Sequence, residues 1–311
     1  MSMRFDRRAP GEGVEVSCCL VNGKACLEWK FVIAGIGDKA GGEGILRLLM
    51  RDGQGNLVLE CIGRPEEEEP LRSILLQPHL WNGMEDPYLY TLDVFLLDKE
   101  ENCLDYLRRQ LPLYSLELRG DLLLNGTKFE ERAVAYCFPE AESPARLQGI
   151  VTEDLQRLRE LGANCIYVEK EEGLQEPFLQ LCERMGFLVR LLADGSSCKV
   201  PVYRGQNGSL VNREGKPESE FYRYKARWCR EAFVYIVPES IHRQESGNYT
   251  AVIYSNCSRI VLYSNGNLHE FQSGCEEFLF REIPAKGPYL LLTAEGDGCV
   301  ESLSLHRIFT K

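Results

Sequence analysis

From Val14 to about residue 118 the chain alternates short apolar runs with turn signals. Val14–Leu20 leads into Asn22-Gly23, and Ala25–Ile33, Gly44–Met50, Leu57–Ile62 and Arg72–Gln77 follow. Period-two runs of this length at this spacing predict the strands of a β-sandwich. Asn22-Gly23 predicts a tight hairpin. The run from Pro65 to Pro70, with four glutamates between, reads as a solvated connector.

The period changes after residue 119. Lys128–Cys137 is strand-like, and Thr152–Leu161 carries Leu155, Leu158 and Leu161 at helical spacing. Thr152 is the expected N-cap, followed by Glu153 and Asp154 in the first turn, with Gly162 as the stop. Asn164–Val168 reads as a strand, Leu174–Met185 as a helix ended by Gly186, and Phe187–Leu192 as a third strand. This order implies parallel strands with right-handed crossovers. Residues 196 to about 216 read as a Gly/Ser/Asn-rich connector, and a short helix or turn over Phe221–Trp228 opens a second β-region. Its strands are Phe233–Val237, Thr250–Tyr254, Ile260–Tyr263, Phe278–Glu282, Tyr289–Ala294 and one near Val300–His306, with a hairpin at Asn265-Gly266.

Composition narrows the picture. The chain has 311 residues, 44% of them hydrophobic and 27% charged, an ordinary globular balance. A net charge of −11 argues against nucleic acid and anionic membranes as partners. No apolar stretch reaches the roughly 18 residues of a membrane span. The 13 cysteines form no C-x-x-C pair, and Cys165 and Cys257 sit in apolar runs. Without an apolar leader in the first residues, a cytoplasmic location is expected. Sequons at Asn125, Asn207, Asn248 and Asn256 then carry no meaning.

Four stretches resemble glycoside hydrolase family 2, the β-galactosidases and β-glucuronidases. They are Leu80-Trp81 with Pro87–Leu92; Leu116–Arg119 with Leu124-Asn125-Gly126; Asp154–Ile166 continuing to Phe178–Val189; and Phe221–Trp228 with Val252–Cys257 and Leu262–Gly266. The resemblance implies two immunoglobulin-like β-sandwiches, residues 1–118 and 206–311, flanking a truncated (β/α)₈ barrel at 119–205. A complete barrel takes about 250 residues. The third strand here runs directly into sequence that in the family follows the eighth.

Retaining hydrolysis needs two carboxyls about 5–5.5 Å apart, an acid and a nucleophile. In the family the acid/base glutamate follows an asparagine after the fourth strand, and the nucleophile lies at the seventh. This chain has no Asn-Glu dipeptide, so the resemblance assigns neither role. Its first three strand ends, Ala133–Phe138, Tyr167–Gly173 and Leu191–Asp194, also differ from the family's sugar-binding runs. Replacement acids would be Glu169, Glu171, Glu172 and Asp194, at the C-terminal ends of parallel strands where α/β active sites form. The same four also read as solvated loop acids beside Lys170.

His79, His242, His269 and His306 are too dispersed for a metal, and no nucleotide-binding glycine pattern occurs, so neither metal nor cofactor is expected. His79 reads as structural. Cys18 and Cys19 read as half-buried thiols on alternate faces of one strand or, less simply, as a redox pair. Trp81 and Trp228 read as packing residues or sugar-stacking platforms. The expected function is a non-catalytic binding or assembly role, linked to carbohydrate. The alternative is a working β-glycosidase with relocated carboxylates. An unclosed barrel remnant would be covered by the flanking sandwiches or by a second copy in a homodimer.

Overall fold

The computed structural model describes residues 3–7, 9–34, 44–65, 69–168, 176–192, 200–205, 208–285 and 289–306. The protein is mostly β, with three α-helices among the described residues. They are α1 (Pro144–Leu161), α2 (Glu176–Met185) and α3 (Ser219–Trp228). Two compact units interleave along the chain: Met1–Glu131 with Lys170–Arg190, and Arg132–Glu169 with Leu191–Lys311.

The first unit is built on two antiparallel sheets. One runs in the order Val14–Val21, Lys24–Phe31, Leu71–Leu75, and the other Leu57–Gly63, Ile45–Arg51, Tyr90–Leu97, Cys103–Leu111. Asn22 (φ 50°) and Gly23 (φ 75°) both take the left-handed conformation that a two-residue hairpin turn requires. Alternation sends Ala25, Leu27 and Trp29 inward against Leu46, Leu48, Met50, Leu92, Val94 and Leu96. Cys103–Leu111 escapes the sequence pattern because LDYLRRQL alternates poorly; only Leu107 and Leu111 of that strand are fully buried. The predicted strand Lys128–Cys137 is in fact two pieces. Thr127–Lys128 closes a small antiparallel sheet with Leu116–Arg119 and Asp121–Leu124, whereas Ala133–Ala135 belongs to the second unit. The charged run Glu130-Glu131-Arg132 separates them.

In the second unit Ala133–Ala135 pairs parallel with Cys165–Val168. The Val168 carbonyl also accepts the Leu192 N–H at 2.9 Å. The other flank of Ala133–Ala135 is taken by residues 201–203: the Ala135 N–H donates to the Pro201 carbonyl at 2.9 Å, and the Ala135 carbonyl accepts the Tyr203 N–H at 2.8 Å. That bridge is parallel. The expected connector is thus structured where it is described, and Tyr203, Leu210 and Val211 in it are fully buried. Three scattered apolar residues leave no period to read.

Helix α1 starts eight residues before the expected N-cap. Ser143 caps it by accepting the Arg146 N–H, and Pro144 fills the first helical position. Thr152 lies inside, its hydroxyl donating to the Gln148 carbonyl at 2.7 Å. The first half of α1 is exposed and contains Gly149, so it shows no apolar stripe. Gly162 (φ 88°) ends the helix as expected.

Beyond α3 a second sandwich follows. Val234–Ile236, Tyr249–Ser255, His242–Arg243 and Glu276–Ile283 form one sheet. Asn267–Ser273, Arg259–Ser264, Tyr289–Gly296 and Cys299–His306 form the other. Ile253, Ile260, Leu262, Phe278, Phe280, Leu290 and Leu292 fill the space between them. No helix among the described residues is long and apolar enough to cross a membrane.

Candidate functional site

Glu169, Glu171, Glu172 and Asp194 lie outside the described residues. The described end of the first parallel strand carries Tyr136, Cys137 and Phe138 instead of acids. Chemistry-bearing side chains gather at three other places, one in the second unit and two in the first.

In the second unit, the periodicity of α1 turns Asp154 to the same face as Val151, Leu155, Leu158 and Leu161. Asp154 is completely buried. Its carboxylate accepts from Tyr136 Oη (3.0 Å), Tyr203 Oη (3.1 Å) and Arg204 Nη2 (2.5 Å), and Arg157 Nη1 lies 3.6 Å away. An isolated buried carboxylate would be costly; two cations and two hydroxyls offset the desolvation. Burial, and then the neighbouring carboxylate, push both tyrosine hydroxyls far above their usual range, so they stay protonated donors. The rings stack at 5.7 Å, with Phe138 edge-on to Tyr136. Both carboxylate oxygens of Asp154 are engaged, which makes this a knot tying α1 to two chain segments. Its sequence reading as a first-turn acid is corrected: it sits mid-helix on the buried face.

The first unit holds a charged cavity of about 270 Å³ lined by Val14–Ser17, Arg109, Glu176, Leu179 and Glu183. Glu176 and Glu183 are two helical turns apart on α2, hence on one face. Arg109, from the Cys103–Leu111 strand, reaches Glu176 at 3.3 Å. Its side chain is nine-tenths buried, and its Nε has no partner among the described residues. Burial, which outweighs the pull of Arg109, and then repulsion from Glu176 raise the Glu183 carboxyl to about 7. The Glu183 backbone carbonyl accepts the Trp81 indole N–H at 2.9 Å. Trp81 is buried and is a packing residue; in the second unit the Trp228 carbonyl accepts from Arg132 Nη1 at 2.9 Å and its ring packs 4.9 Å from that of Tyr224.

A wider open cleft of about 570 Å³, also in the first unit, is lined by Gln77, Pro78, His79, Leu80, Asn82, Asp86, Asn125 and Thr127. His79 Nε2 lies 2.7 Å from Asp86 Oδ2, and its ring stacks on Tyr88 at 3.8 Å. Asn125 (φ 53°) is committed to structure: it accepts Ser115 N–H and donates to the Trp81 carbonyl. Imidazole, amide, carboxylate and hydroxyl groups on one concave wall suit a ligand rich in hydroxyls. The remaining histidines are scattered: His269 donates to the Arg281 carbonyl, and His306 packs edge-on against Tyr289. No group of three or more metal-binding side chains occurs among the described residues.

Solved structures place this architecture. The chain matches an FMN-binding β-glucuronidase from Facaelibacterium prausnitzii L2-6 at a TM-score of 0.79, with 14% identity over 99% of this chain and 76% of that one. It matches Bacteroides uniformis β-glucuronidase 2 at 0.73, with 13% identity over 99% and 62%. A glycosyl hydrolase family 2 member from Bacteroides cellulosilyticus matches at 0.69, with 14% identity over 98% and 64%. The fold is that of the family 2 β-glycosidases. A curated protein of Formosa agariphila, described as "Putative beta-glucuronidase", is 36% identical over 67 residues. That segment is 21% of this chain and 8% of the relative. No known protein-family profile matches.

Proposed function

We propose that this chain is a family 2-fold protein that binds carbohydrate without hydrolysing it. The supporting observation is the neighbourhood of Ala133–Ala135. Cys165–Val168 lies on one side of that strand, and residues 201–203 lie parallel on the other. In a closed barrel the first strand has the second and the eighth as neighbours. We therefore read 119–205 as a truncated barrel in which residues 201–203 stand in for the eighth strand, between sandwiches at 1–118 and 206–311. The strands that carry the family's acid/base and nucleophile then have no counterpart. The ligand class is a β-linked glycoside such as a glucuronide or galactoside, held in the His79 cleft. A homodimer through the truncated sheet is part of the same reading.

The charged cavity favours a second reading, a relocated acid pair. Glu183 keeps a proton to about pH 7 while Glu176 is paired with Arg109. Acid and base roles are assigned where environments push two carboxyls apart in this way. Against it, seven residues of helix separate their Cα atoms by about 10.5 Å, and Arg109 lies beside Glu176.

A panel of aryl β-glycosides distinguishes the two. The first reading expects no turnover above buffer, together with saturable binding of methyl β-glucuronide or methyl β-galactoside that is lost in His79→Ala. Turnover abolished by Glu176→Gln or Glu183→Gln would overturn it.

A further inference from the structure

The hairpin Val14–Val21/Lys24–Phe31 brings two cysteines face to face. Its register pairs Val21 with Lys24 and, two steps on, Cys19 with Cys26. A two-residue turn makes Val21 and Lys24 a hydrogen-bonded pair, and alternation makes Cys19 and Cys26 another. Such pairs have Cα atoms about 5.5 Å apart, inside the roughly 4.4–6.8 Å that a disulfide spans. Both side chains point to the outer face of the sheet: Cys19 is exposed and Cys26 is partly so. Cys18, adjacent in sequence, points the other way into the sandwich core, and burial pushes its thiol up to about 11. The redox partner of Cys19 is therefore set across the hairpin, not along the strand.

We propose that Cys19 and Cys26 form a modification site that reacts with small disulfides and closes into a reversible cross-strand disulfide. The Cys19 thiolate attacks one sulfur of a low-molecular-weight disulfide, RSSR, and expels one thiolate, which takes up a proton to leave as RSH. The Cys26 thiolate then attacks the Cys19 sulfur and expels the second RSH. The two protein thiols are oxidised by two electrons, and RSSR is reduced to two RSH. Cβ atoms of facing strand residues start about 4.5–5.5 Å apart, wider than the roughly 3.8 Å of a relaxed disulfide. That mismatch keeps the bond reducible. Loss of water around it, and then the neighbouring Cys26 and Glu28, raise the Cys19 thiol, so the exchange is slow at neutral pH and accelerates about tenfold per pH unit towards alkaline conditions.

The test is peptide mapping of the native full-length protein after exposure to oxidised glutathione and quenching by alkylation. Trypsin cuts after Lys24, so the bond appears as Ala9–Lys24 joined to Ala25–Lys30. The expected result is this linked pair, reversed by dithiothreitol and retained in Cys18→Ser. Cys26→Ser should stop at a glutathione adduct on Cys19. Absence of the linked pair in the native protein, or its loss in Cys18→Ser, would overturn the proposal, as would a Cys19 that stays unmodified in Cys26→Ser.

Discussion

Glu183→Gln should abolish a pH dependence of stability that the wild-type protein carries. The carboxyl rises from an ordinary 4.5 to about 7 in the fold, first because burial strips its water and then because Glu176 repels it, with Arg109 opposing. The folded state thus holds a proton that the unfolded chain releases between those two values. Stability falls as pH climbs through that window and is lowest above about 7. At about 1.4 kcal/mol per unit, the shift sets a ceiling near 3.4 kcal/mol; with a partly exposed side chain, about 2 kcal/mol is expected. Glutamine is uncharged throughout, so the variant should match wild type at about pH 4, below the unfolded value, and exceed it by about 2 kcal/mol at pH 8. Urea titrations followed by tryptophan fluorescence measure this directly, because Trp81 donates its indole N–H to the Glu183 carbonyl. A wild-type-to-variant difference that stays flat between pH 5 and 8, or a variant weaker at pH 8, would refute the reasoning.

Asp154→Asn should cost about 3–5 kcal/mol, seen in chemical denaturation, because Arg204 and Arg157 would face a neutral amide in a buried site. Gly186→Ala should lower the melting temperature by several degrees. Gly186 has φ 85°, and an added Cβ would stand 2.5 Å from the Met84 Cα, a strain of about 1–3 kcal/mol.

The sequence pattern reveals elements whose burial alternates cleanly. Val14–Val21 and Lys24–Phe31 were legible from their period and the Asn-Gly turn, and α2 from its apolar face. The start of α1 was not, because its first turns are exposed and carry no stripe; only Ser143-Pro144 signals it. Asp154 looked like a first-turn acid because its partners lie at positions 136, 203 and 204, which no local window brings together. Arg109, Glu176 and Glu183 were missed for the same reason: the ion pair spans 67 residues. The Cys19–Cys26 pairing, by contrast, was available in principle. Once Asn22-Gly23 is taken as a two-residue turn, counting outward sets those thiols opposite each other.

The interleaving of the two units puts a clock on folding. The first unit ends its first stretch at Glu131, yet Glu176 and the Glu183 carbonyl, which receive Arg109 and Trp81, arrive only with Lys170–Arg190. The second unit begins at Arg132, yet Asp154 waits for Tyr203 and Arg204. A ribosome must therefore deliver 67 residues after Arg109 before Glu176 can meet it, and 50 after Asp154 before Arg204 can, at roughly 5–20 residues per second. For those seconds the nascent chain holds half-finished units, and neither can be cut out as one continuous piece of sequence.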